Sequence, residues 1–109
     1  MVFAFLLITQ LSHLGRAGAA EVTFTKEFTE NAANIATGEK IWFEQCARCN
    51  GIRAYPGKAP KLKPAIYKIE FVYKRVTKGF RGMPSWKSKY NQHQRMSVSA
   101  YVMNPDFKN

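Results

Sequence analysis

The densest chemistry in this 109-residue chain is a pair of cysteines three apart, Cys46-Ala47-Arg48-Cys49, followed by Asn50. Thiols at this spacing have three uses: a tight disulfide, part of a metal site, or paired thioether bonds to a haem. A thiol–disulfide exchange motif follows a strand and opens a helix, whereas this pair closes a helical stretch. A structural zinc ion takes four ligands, and two cysteines with the distant His93 fall short of that set. In the haem use, the next residue is ordinarily a histidine, and here it is Asn50. A neutral carboxamide is a poor iron ligand, binding weakly through oxygen if at all.

Other donors are sparse. Met83 sits in the turn-rich segment "GFRGMPSW", and that setting marks it as a thioether donor. Met96 and Met103 fall on one helical stripe and read as core. His93 opens the last helix and reads as a surface or capping residue.

The elements that must position these groups are helical. Asn31 or Asn34 caps a helix running to about Ala47, with Ile35, Trp42 and Phe43 on one face. Residues 51–64, "GIRAYPGKAPKLKP", form a loop. Residues 65–78 place Ile66, Ile69, Val72 and Val76 at spacings of three and four, a second helix ended by Gly79. A third covers Gln92 to Met103 and stops before Pro105. Residues 21–31 read as an extended arm.

Residues 1–20 read as a signal peptide or N-terminal arm. The apolar run at residues 2–11 is shorter than the roughly 20 residues that span a bilayer. Small residues follow it, with Ala17-Gly18-Ala19 as a cleavage signal, although no Lys or Arg precedes the run. The reading is therefore an exported chain, in the periplasm, the thylakoid lumen or an equivalent space.

From about residue 32 onward the chain resembles the small monohaem c-type cytochromes of class I. Gly38, Trp42 and Cys46 reproduce the family's glycine, aromatic and first haem cysteine. "APKL" supplies Pro60 and Leu62, "GMPSW" supplies Met83, Pro84 and Trp86, and "SAYVM" supplies Tyr101. The resemblance implies an all-α fold at residues 32–109, with crossed N- and C-terminal helices and loops around a haem pocket. It implies covalent haem c on Cys46 and Cys49, lined by Pro60, Leu62 and Trp86, with Met83 as an axial iron ligand. Asn50 occupies the proximal-ligand position, where the family has histidine. Two outcomes follow. Haem is attached, with iron five-coordinate or weakly ligated at Asn50; or haem is absent, Cys46 and Cys49 are oxidised, and the fold is a structural piece.

Seventeen Lys and Arg against seven Asp and Glu give a formal charge of +10. The basic residues gather at Lys58, Lys61 and Lys63, and at Lys74, Arg75, Lys78, Arg81, Lys87 and Lys89. Such a surface steers a carrier toward acidic redox partners, including a membrane-associated complex. It carries no nucleic-acid motif, and no small-molecule substrate is expected. The implied function is single-electron transfer, not catalysis. The alternative is a degenerate, haem-free docking subunit of a larger redox or photosynthetic complex.

Overall fold

The computed structural model describes residues 22–52 and 55–107. The expected signal segment at residues 1–20 lies outside the described residues. Five α-helices occur in the order α1 (Lys26–Glu30), α2 (Ala32–Ile41), α3 (Ala47–Asn50), α4 (Ile69–Lys78) and α5 (Gln92–Met103). A π-helical turn, Trp42–Cys46, joins α2 to α3, and a 3-10 turn, Pro64–Ile66, precedes α4. No strand occurs among the described residues, so the all-α expectation holds.

Helix α5 is the centre of the molecule. Its start is fixed by a capping box: Asn91 Oδ1 accepts from the Gln94 backbone, and Gln94 Oε1 accepts from the Asn91 backbone, both at 2.9 Å. Residues 95–100 and Val102 are all buried, because α5 meets α1, α2 and α4 on different sides. The heaviest of these contacts is with α2. They cross at Gly38, where a β-carbon would overlap the Ser97 carbonyl and lie 2.8 Å from Tyr101 Cβ. Only a residue without a side chain permits that approach. Trp42, 2% exposed, then fills the angle between the helices, with Phe107 edge-on at 4.9 Å and Tyr101 at 6.4 Å.

Helix α4 contributes Val72 and Val76, one turn apart, to the same core. Arg95 locks α4 against α5. Its guanidinium is buried and donates to Tyr90 O (2.6 Å), Thr77 Oγ1 (3.2 Å) and the Tyr73 hydroxyl (3.3 Å). These acceptors are all neutral, and they stand in for the water that the cation lost.

Three sequence expectations change. The arm at residues 21–31 was expected to be extended, but Thr25 Oγ1 caps Phe28 N–H at 3.1 Å and Lys26–Glu30 turn into α1. Phe24 and Phe28, four apart, then pack edge-on against Tyr73 and His93. Phe43 leaves the expected apolar face and is 47% exposed. Phe43 lies in the π turn, directly after the buried Trp42. The helix expected from residue 65 begins only at Ile69, since Tyr67 and Lys68 are extended. The Tyr67 hydroxyl accepts the Lys63 N–H at 3.0 Å and so ties the ring back to the preceding loop. Ile66 is left 75% exposed.

The crossing yields a prediction. Gly38→Ala forces α2 and α5 apart and should cost about 1–3 kcal/mol, the range for overpacking a tight core. Urea unfolding followed by circular dichroism checks it, with Ala36→Gly on the exposed side of α2 costing about 1 kcal/mol for comparison.

Candidate functional site

The π turn and α3 together set the two cysteines. Cys46 closes the π turn and Cys49 lies one helical turn later in α3. Both are free thiols. Cys46 packs against the core, and burial, reinforced by neighbouring Cys49, pushes its thiol up to about 12. Cys49 is exposed.

The loop after the pair folds back onto it. Trp42 Nε1 donates to Ile52 O at 3.1 Å, and Ala59 N–H donates to Cys49 O at 2.7 Å. Gly57 lies so close to the end of α3 that a β-carbon would stand 2.6 Å from the Asn50 carbonyl carbon. The chain thus arrives at Pro60, which is exposed, and Leu62, which packs against the core.

Met83 comes from the other side. Phe80 and Met83 exchange backbone hydrogen bonds of 3.0 and 2.9 Å across a tight turn, with Arg81 at a φ of 52°. A side chain in that left-handed region is uncommon, so the turn is held by its surroundings. Trp86 N–H donates to Val76 O at 3.0 Å, fastening the segment to α4. Both Met83 and Trp86 pack against the core cluster that also receives Cys46, Leu62, Tyr67 and Tyr101.

Of the expected site residues, the structure therefore brings Cys46, Leu62, Met83 and Trp86 onto one core, while Cys49 and Pro60 face solvent. Asn50 is half-buried, and its Nδ2 donates to Cys46 O at 2.9 Å. His93 lies elsewhere, exposed on α5, with its ring 5.4 Å from Phe28.

Large apolar side chains are also exposed: Ile52 and Tyr55 in the loop after the pair, Ile66 in the 3-10 turn, Phe71 on α4 and Phe80 just after it. Ile66, Tyr67, Lys68 and Phe71 line an open depression. Sequence reasoning did not single out Tyr67 or Phe80 as site residues, because their positions read as an ordinary helix followed by a turn. Apolar area left in water in this way suits a flat apolar group. Two thiols, a thioether donor and this lining fit a covalently held haem. The seat after the second cysteine does not, because Asn50 supplies no nitrogen lone pair.

The basic residues divide by environment. Lys58, Lys61, Lys63, Lys74, Lys78, Arg81, Lys87 and Lys89 are exposed. Arg75 is half-buried, its guanidinium 3.7 Å from the Phe80 ring centroid and 4.9 Å from that of Phe71.

Residues 33–102 match the family model described as cytochrome c oxidase, cbb3-type, subunit III. The chain belongs to this family of c-type cytochromes. A c-type cytochrome domain is the framework of an electron-carrying haem protein. Among solved structures, the chain is similar to the KustC0563 c-type cytochrome, with a TM-score of 0.57 and 20% identity. That match covers 66% of this chain and 98% of the other. At this identity the likeness is one of fold, and it supports a cytochrome c-like arrangement. No curated protein matches the chain. Among the described residues, no helix is long and apolar enough to cross a membrane.

The two thiols should behave differently in chain made without haem. Iodoacetamide should alkylate exposed Cys49 first and Cys46 slowly, and the two should become equivalent in urea; peptide mass mapping over time checks the order. The Cys46 pKa is raised from 9.0 to about 12. The unfolded chain then releases this proton first as pH rises. Stability is therefore full below pH 9 and falls between pH 9 and about 12, measurable as a declining urea midpoint.

Proposed function

We propose that this chain is an extracytoplasmic single-electron carrier with haem c bound through Cys46 and Cys49. The observation that carries the reading is the convergence of Cys46, Leu62, Met83 and Trp86 on one core beside exposed apolar loops. A haem held there supplies reversible one-electron chemistry at its iron. The residues do the rest. Cys46 and Cys49 tether the group, and Met83 offers a thioether that favours ferrous over ferric iron. Leu62 and Trp86 exclude water from it, and the Pro60 loop closes over the end of α3. No step acts on a substrate.

Export to a periplasm, lumen or equivalent space is supported by the apolar run at residues 2–11 and the small residues after it. The exposed lysines near Met83 suit docking on an acidic redox protein, where they raise the rate of encounter more than the affinity. Membership in a family named for an oxidase subunit makes a membrane-associated complex a fitting partner. One observation favours the alternative of a haem-free docking subunit of a redox or photosynthetic complex: the asparagine in the proximal seat.

A pyridine haemochrome assay with intact mass spectrometry separates the two. The carrier gives the mass of the polypeptide plus one haem and no titratable thiol. The docking subunit is colourless, at the polypeptide mass, with Cys46 and Cys49 free or bridged to each other. For the loaded carrier, oxidation by an anionic iron complex should slow by roughly tenfold as ionic strength rises from low to physiological. Lys87→Glu with Lys89→Glu should flatten that salt dependence.

A further inference from the structure

The group that follows the cysteine pair is already engaged. Asn50 Nδ2 donates to the Cys46 carbonyl four residues back, at 2.9 Å, so the side chain lies along its own helix. Its amide nitrogen has no lone pair to give, and its oxygen is a weak, hard donor for haem iron. The loop does not bring a substitute. Residues 55–63 contain no histidine, cysteine or methionine. His93 packs its ring edge-on against Phe28 of α1. Among the described residues, Met83 and Met103 are the thioether donors that pack against the core shared with Cys46.

We propose that Asn50 leaves one axial position of a haem held by Cys46 and Cys49 to an external ligand, a small neutral electron-pair donor of the carbon monoxide or imidazole class. The inference rests on the haem reading above. Binding donates one electron pair to iron and displaces only water or the weak amide oxygen. Nothing is oxidised or reduced, and no bond of the chain is broken. In this light Asn50 is a positioning residue. Its hydrogen bond to Cys46 closes α3 without offering the nitrogen that would fill the site.

The test uses the full chain matured with haem in an exporting host. Carbon monoxide is titrated into the reduced protein while the Soret band is followed. The expected result is a saturable shift with one ligand per haem. Asn50→His should bind carbon monoxide at least about tenfold more weakly, because an internal imidazole competes for the position. Imidazole added to the ferric parent should shift its Soret band saturably, one ligand per haem, to the spectrum of a six-coordinate low-spin haem. This second titration reads the parent alone and stands even where the variant fails to fold. A loaded parent that responds to neither ligand overturns the proposal, as does an Asn50→His protein that binds carbon monoxide as tightly as the parent. A chain without haem by the haemochrome assay overturns the carrier reading and this proposal together, whereas a loaded but unresponsive chain overturns this proposal alone.

Discussion

The contact between Gly38 and the backbone of Ser97 sets the cysteine side of the molecule. It lets α2 and α5 touch at backbone distance, and that closeness sets where Trp42 lies. Trp42 in turn holds the loop after the cysteines through its hydrogen bond to Ile52 O, and holds the C-terminus through Phe107. The position of Cys46, four residues beyond Trp42, is then a consequence of helix geometry. A site built this way inherits its precision from a crossing that lies outside it.

The Met83 side is fixed by a different device. Arg95 is a buried cation, and burying a charge without compensation is costly. Compensation comes from Tyr73 and Thr77 on α4 and from the Tyr90 carbonyl just before α5. One side chain thereby pins the segment that follows Met83 to two helices. Thr77 and Trp86 lie at either end of that pinned stretch, with Trp86 N–H on Val76 O. The methionine turn can tolerate the unusual backbone of Arg81 because both of its flanks are held.

Legibility in the sequence followed the range of the interactions. Helix α5 could be read to its ends because Asn91, Gln94 and Pro105 act locally. The Gly38 crossing and its aromatic neighbours could be read through the family resemblance, which compresses long-range packing into spacing. The π turn could not, since no residue type signals it, and so Phe43 was assigned to the wrong face. The late start of α4 was hidden for a related reason. Ile66 and Ile69 have helical spacing, but the hydrogen bond from Lys63 to Tyr67 decides the local path. The exposed apolar residues such as Ile52, Ile66 and Phe80 are invisible to periodicity, because they lie outside the buried faces that periodicity detects. The buried Arg95 was equally unreadable, entering the sequence analysis only in the total of Lys and Arg.

Asn50 shows why fold and chemistry separate here. Nothing in the crossing, the Arg95 network or the Met83 turn touches its side chain. That side chain bonds to its own helix, a bond that many short polar residues could make at a helix end. The crossing, the Arg95 network and the Met83 turn are therefore built from residues other than position 50. A histidine there would complete an iron site at no gain to packing. An asparagine keeps the helix end satisfied and gives up that bond. On the proposed haem reading, the residue at position 50 decides what the metal would meet on that side, while the framework rests on residues elsewhere.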